Sequence, residues 1–245
     1  MKIIRNIPAA FTIYSNLRYL NKYKKEIEDA KLKSDIEKEK ENILLATSTW
    51  GKKLAENAGM KVTVYGRENL PTKGPIVYMA NHQGYADIVA LCAALDTVQF
   101  GYVAKNNLEK VPLYGKWIDR IRSVLIDRGH PREALKAISK GVSLIKEGYS
   151  LLIFPEGTRS QSSQMGEFKP GAMKLATKPK VPIIPISLDG TWKIFEEHGC
   201  LKKGEVKVMV HPAIETKDLT KEEERHLSNK VYQIIEDGVK KLRAL

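Results

Sequence analysis

The chain has 245 residues, enough for one sizeable domain with an appendage, and its 42% hydrophobic content suffices for a packed core, which excludes a disordered or low-complexity protein. A formal net charge of +12 requires an anionic partner or surface: nucleic acid, an anionic lipid surface or an acidic carrier protein. Because no RNP-type aromatic strand, zinc-finger spacing or helix-turn-helix signal accompanies the charge, nucleic acid is the remote reading, and no nucleic-acid partner is expected.

Residues 1–25 carry Lys2, Arg5, Arg18, Lys22, Lys24 and Lys25 interleaved with apolar residues including Ile7, Phe11, Ile13, Tyr14, Leu17 and Leu20. On a helix this spacing gathers an aromatic-aliphatic side among positive charges, as in segments that lie in a membrane interface. The longest uncharged stretch, residues 6–17, is well short of the ~20 apolar residues that cross a bilayer, and no signal-peptide cleavage pattern follows. Monotopic attachment, at the cytoplasmic face, is therefore expected. Residues 22–41 alternate charges, then Ile43, Leu44, Leu45, Ala46 and Trp50 follow, with Ile36, Ile43 and Trp50 seven apart. This reads as a second helix, antiparallel to the first. Residues 1–60 are then a two-helix motif that binds a membrane, packs on the rest of the chain, or does both.

From Lys61 onward short apolar runs alternate with longer amphipathic ones. The strand-like runs are 62–65, 75–80, 99–104, 124–126, 151–154, 183–188 and 206–210. Helices fill the gaps: residues 131–146 open with Pro131 and end at Glu147-Gly148, and residues 220–245 open with Thr220. The expected fold is α/β, a mixed central sheet flanked by helices over residues 61–245, with an N-terminal amphipathic two-helix motif. The run Val181-Pro182-Ile183-Ile184-Pro185 is expected at a sheet edge, since proline cannot donate in a central ladder. Cys92 and Cys200 are isolated, and with the five histidines they make no metal-binding spacing, so no metal is expected and a reduced compartment is.

Two segments carry chemistry. Asn81-His82-Gln83-Gly84-Tyr85-Ala86-Asp87 places a histidine and an aspartate five residues apart after an apolar strand, in the manner of a base and the acid that fixes its tautomer. On a continuous helix that spacing would turn the two side chains roughly 140° apart, so the expectation is a strand-to-helix bend, eased by Gly84, with Asp87 in the first helical turn reaching back. The plain alternative is a surface histidine beside a helix start that favours acidic residues. No Gly-x-Ser-x-Gly nucleophile elbow occurs in the chain, so a catalytic pair would take its hydroxyl from the substrate. Residues 151–160, Leu-Leu-Ile-Phe-Pro-Glu-Gly-Thr-Arg-Ser, run from a buried-type strand into a polar turn, the place where open α/β sheets bind ligands. There Arg159 offers a phosphate-matching fork, Gly157 a close backbone approach and Thr158 a hydroxyl donor, although an ordinary loop with an exposed arginine would read the same way.

Together the Asn-His-x4-Asp and Phe-Pro-Glu-Gly-Thr-Arg-Ser blocks resemble the glycerolipid acyltransferase family, without departure in the signature residues. Two weaker blocks, Arg122 to Arg128 and Val181 to Ile186, also match in order, so the resemblance spans roughly residues 62–210. The pattern and size are most similar to members that acylate 1-acylglycerol-3-phosphate. The resemblance implies His82 as general base on the acceptor hydroxyl, Asp87 as its orienter, and Asn81, Glu156, Gly157, Thr158, Arg159 and Arg128 around the glycerol phosphate. Lys105 resembles a basic position that binds phosphate or supports the oxyanion. It also implies lysophosphatidic acid as acceptor, a thioester of acyl carrier protein or coenzyme A as donor, no cofactor, and phosphatidic acid as product. Another lysophospholipid or glycerol 3-phosphate is the alternative acceptor, and a hydrolase using the same pair on water is the competing enzyme.

Overall fold

The computed structural model describes residues 2–111, 114–127 and 129–245. The chain opens with three helices, α1 (Lys2–Asn21), α2 (Lys24–Leu32) and α3 (Ile36–Asn57). It continues with β1 (Met60–Tyr65), β2 (Val77–Ala80), α4 (Ala86–Ala94), β3 (Gly101–Lys105), α5 (Tyr114–Arg120), β4 (Val124–Ile126) and α6 (Pro131–Lys146). Then follow β5 (Leu151–Ile153), α7 (Lys174–Thr177), β6 (Ile183–Asp189), α8 (Thr191–Ile194), β7 (Gly204–Val210) and α9 (Lys221–Ala244). Each strand expected from the apolar runs is present. The stretch read as a single second helix is divided: Asp35 caps α3 by accepting from the Lys38 N–H at 3.0 Å, a start signal hidden within the charge run.

The strands form one sheet in the order β1-β7-β6-β2-β5-β3-β4. Every neighbouring pair is parallel except β6 with β7, so the sheet is mixed. Side chains alternate between its faces: Tyr78, Ala80, Leu152 and Phe154 pack with α1, α3 and α4, while Val77, Met79, Leu151 and Ile153 pack with α6, α7 and α9. The chain leaves β2 toward α4 on the first face and leaves β5 toward α7 on the second. Their exits diverge, which opens a crevice at the carboxyl ends of these two adjacent strands.

The Val181-Pro185 run is not at an edge. It leads into β6, which is flanked by β7 and β2, and Pro185 stands opposite Met79 of β2. Pro185 is accommodated because the β6–β7 ladder begins only at Ile186; one residue earlier its carbonyl accepts from the His211 N–H at 3.0 Å. By alternation it faces the same side as Ile183, so its missing donor removes no rung of the ladder.

The N-terminal helices share the core of the sheet. Leu17, Leu20, Ile27, Ile43, Trp50 and Leu54 are buried in the same cluster as Tyr78 and Leu152. At about 1.5–3 kcal/mol for each large apolar side chain, exposing these would cost as much as the whole stability of an ordinary domain, about 5–15 kcal/mol. The apolar stripe of α1 nevertheless runs off the body toward its N-terminus: Leu20 is 4% exposed and Leu17 3%, but Ile13 is 46%, and Phe11 on another side is 74%. Among the described residues no helix is long and apolar enough to cross a membrane. Helix α3 crosses α4 at Gly51, where an added Cβ would lie 2.5 Å from the Cβ of Cys92.

Candidate active site

The exit of β2 is stapled to its surroundings by backbone bonds. Asn81, fully buried, uses both ends of its amide on Leu188 of β6: Nδ2 donates to the carbonyl at 2.9 Å and Oδ1 accepts from the N–H at 2.7 Å. Its side chain therefore faces the sheet rather than the crevice. The next residue, His82, donates its N–H to Glu156 Oε1 at 2.6 Å, and its carbonyl accepts from the Ser160 N–H at 2.8 Å. Its ring lies on Phe154, centroids 4.0 Å apart and planes 12° from parallel. The two sequence blocks are thus one structure, joined through main chain and rings.

Asp87 occupies the first turn of α4, and its Oδ2 lies 2.6 Å from His82 Nδ1 while also accepting from the Gly84 N–H at 3.0 Å. The carboxyl is wholly buried, whereas the His82 side chain is 13% exposed. An acidic partner on Nδ1 draws the ring proton there and leaves the lone pair on Nε2. An imidazole held in this way can serve as an oriented base.

Glu156, 4% exposed, commits both oxygens to main chain: His82 on one and the Gly166 N–H, at 2.7 Å, on the other. Burial pushes its carboxyl above the ordinary value, and these two donors pull it back. It acts as a tie between loops. Gly157, at φ +74°, donates its N–H to the Phe154 carbonyl at 3.0 Å, closing a turn with Pro155 at its second position. Thr158 beyond it is exposed.

Arg159, 27% exposed, lies at the rim of the same crevice. Its Cζ sits 3.6 Å from the centre of the Tyr85 ring and its Nη1 donates to Glu196 Oε1 at 2.9 Å. The Tyr85 N–H donates to the same oxygen at 2.8 Å. Burial raises the Glu196 carboxyl above the ordinary value, opposed by the Tyr85 and Arg159 donors. Neither Tyr85 nor Glu196 is singled out by the sequence; Tyr85 fills an unspecified position inside the first block, and Glu196 has no motif around it.

The structure thus brings together His82, Asp87, Glu156, Gly157, Thr158 and Arg159. Lys105 is exposed at the end of β3, which lies two strands from β2, roughly 10 Å across the sheet. Its charge adds to the Gly129 N–H and His130 in holding Asp127 below the usual carboxylate range. Arg128 lies outside the described residues. Beneath α4 a small apolar cavity of about 30 Å³ is lined by Trp50, Ile88, Cys92, Tyr102, Tyr114 and Trp117 among others. Cys92 there is buried, and burial pushes its thiol up to about 12.

A family model described as Acyltransferase matches residues 61–189. The 1-acyl-sn-glycerol-3-phosphate acyltransferase of Borreliella burgdorferi is 31% identical over 197 residues, covering 77% of this chain and 74% of its own. A protein of Mycoplasma genitalium described as a probable 1-acyl-sn-glycerol-3-phosphate acyltransferase is 34% identical over 192 residues, 74% of this chain and 71% of its own. The chloroplastic 1-acyl-sn-glycerol-3-phosphate acyltransferase BAT2 of Brassica napus is 36% identical over 157 residues, and the match spans 63% of this chain but only 45% of that longer relative. In three dimensions the chain is similar to the crystal structure of the 1-acyl-sn-glycerophosphate (LPA) acyltransferase PlsC from Thermotoga maritima, with a TM-score of 0.82, 26% identity, and coverage of 100% of this chain and 99% of that one.

Proposed function

The chain belongs to the Acyltransferase family, and on that premise we propose that it transfers a fatty acyl group from an acyl thioester to the free hydroxyl of 1-acylglycerol-3-phosphate, giving phosphatidic acid. The observation that carries this reading is the 2.6 Å contact between Asp87 and His82 Nδ1 at the mouth of a crevice that also holds Arg159. Such a pair prepares Nε2 to accept a proton, and an acceptor alcohol supplies the missing hydroxyl.

In the reaction Nε2 of His82 takes the proton of the acceptor hydroxyl as its oxygen attacks the thioester carbonyl. The tetrahedral adduct collapses, the C–S bond breaks, and the leaving thiolate takes the proton back from the imidazolium. Asp87 holds the ring and balances its transient charge. Arg159 and Thr158 bind the acceptor phosphate, Arg159 through its planar fork. Lys105, farther along the same edge, binds phosphate or supports the oxyanion. The donor is a thioester of acyl carrier protein or of coenzyme A, and no cofactor takes part. The exposed Phe11 and Ile13 of α1, with the basic residues around them, rest on an anionic bilayer at its cytoplasmic face, where the acceptor's own acyl chain stays embedded.

The test is incubation of pure protein with a radiolabelled acyl thioester and, separately, lysophosphatidic acid, glycerol 3-phosphate, a zwitterionic lysophospholipid, and water alone. Labelled phosphatidic acid is the expected product. Release of labelled free fatty acid at the same rate with every acceptor would instead identify a hydrolase.

A further inference from the structure

Arg159 is fixed at two points. Its stack on Tyr85, 3.6 Å from Cζ to ring centre, sets the plane of the guanidinium; the 2.9 Å bond from Nη1 to Glu196 sets its rotation within that plane. The same Glu196 oxygen holds the backbone of Tyr85, so ring, fork and carboxylate form one unit. With Nη1 engaged on one side, Nε and Nη2 make up the opposite edge, two parallel N–H donors of the kind a phosphate takes bidentately.

Position 84, having no side chain, leaves room for the Glu196 carboxylate. A Cβ on Gly84 would sit 2.4 Å from Glu196 Oε2 and 2.8 Å from its carboxyl carbon. The Gly84 backbone is not in the left-handed region, so the glycine serves as a gap for Glu196 rather than as the easing of a bend expected from sequence. Glu196 is itself 4% exposed, too deep to meet a headgroup directly.

We propose that Glu196, admitted through the gap at Gly84, is the positioning residue of the acceptor-phosphate site: it aims the free edge of Arg159 at the crevice. The inference rests on the reading of Arg159 as the phosphate ligand. A carboxylate beside the guanidinium offsets part of its charge, so the site gains its hold on phosphate from direction rather than from net charge. Removing Glu196 leaves a more positive but unaimed arginine, and acceptor binding weakens.

Steady-state kinetics for both substrates, with calorimetric titration of glycerol 3-phosphate as a headgroup probe, tests this on Glu196→Ala, Glu196→Gln, Gly84→Ala and Arg159→Ala. For Glu196→Ala the acceptor KM should rise on the order of tenfold while kcat and donor KM stay within about threefold. Gly84→Ala should raise acceptor KM in the same way by displacing the carboxylate. Glu196→Gln should keep the acceptor KM near that of the wild type, since its amide oxygen accepts the same two hydrogen bonds. A wild-type acceptor KM in Glu196→Ala, equal impairment of the Gln and Ala variants, or a matched rise in both KM values overturns the inference; if Glu196→Ala does not fold, the Gln and Gly84 variants decide. When Arg159→Ala abolishes glycerol 3-phosphate binding but Glu196→Ala does not, only the role of Glu196 falls. Unchanged binding in Arg159→Ala removes the phosphate site and this inference with it.

Discussion

The imidazole of His82 lies flat against Phe154, centroids 4.0 Å apart, so the residue that opens one sequence block braces the histidine of the other. Leucine at 154 stays apolar but is smaller and loses the flat support, and the ring gains freedom to tilt off line. Phe154→Leu should lower kcat by about tenfold with little change in either KM, as expected when a reacting group is misplaced by a fraction of an ångström. Asp87→Asn, which favours the wrong tautomer, should cost a factor on the order of 10²–10⁴, and His82→Ala nearly everything. A folded His82→Ala protein with wild-type turnover would remove His82 from the chemistry.

Direct attack by the acceptor needs both substrates bound together. Initial-rate plots should intersect, and incubation with labelled donor alone should leave no acyl group on the protein. Parallel plots, or label retained through denaturation, would demand a covalent intermediate and a nucleophile elsewhere in the chain.

A titrating histidine on the other face of the sheet gives a stability prediction. His211 Nε2 lies 2.7 Å from Ser187 Oγ, which donates to the Ile235 carbonyl of α9 at 2.8 Å. Burial, then the charge of Lys241, lowers the imidazole from 6.5 to about 4. Between those values the unfolded chain binds the extra proton and the folded one does not. The His211 contribution is therefore complete above the unfolded value and is lost as pH falls through the window to the folded one. After a discount for partial exposure it should amount to about 1–2 kcal/mol. Denaturant midpoints at about pH 7.5 and about pH 5 should differ less in His211→Asn than in the wild type; identical pH dependence in both would show that other groups set it.

The proposed attachment through α1 is open to a sharper probe than truncation, because removing residues 1–25 would also strip Leu17 and Leu20 from the core. Phe11→Ser combined with Tyr14→Ser changes only exposed positions, 74% and 44% accessible. Co-sedimentation with anionic vesicles and turnover of bilayer-borne acceptor should both fall, while turnover of a detergent-dispersed short-chain acceptor persists. Salt should weaken wild-type binding in part, because the basic residues are screened and the apolar ones are not. Undiminished sedimentation of the double variant would place the membrane surface elsewhere.

What the sequence disclosed was what is local. The strands were legible as short apolar runs, and the His82–Asp87 contact could be anticipated because a strand-to-helix bend makes a five-residue spacing close. Glu196 could not, since its link to Arg159 spans 37 residues and nothing flanking it marks the position. Asn81 was expected around the glycerol phosphate as part of the Asn-His-x4-Asp block, yet β6 takes both ends of its amide. Pro185 pointed to an edge because the rule about missing donors assumes that both ladders run the strand's full length, whereas β7 pairs with β6 only from Ile186. Asp35 divided a helix because a cap made by an acidic residue is indistinguishable, in a run of charges, from a solvated face.

At Gly51 the absence of one methyl group sets how closely α3 lies on α4, and α4 carries Asp87 in its first turn. The bundle that carries α1 and the helix that carries Asp87 are therefore packed against each other at close range here. Gly51→Val would act at a distance from both the crevice and the exposed stripe, yet it would tilt the aspartate's pedestal. Remodelling of the N-terminal bundle that widens this crossing would therefore be felt at the carboxylate in contact with His82 Nδ1.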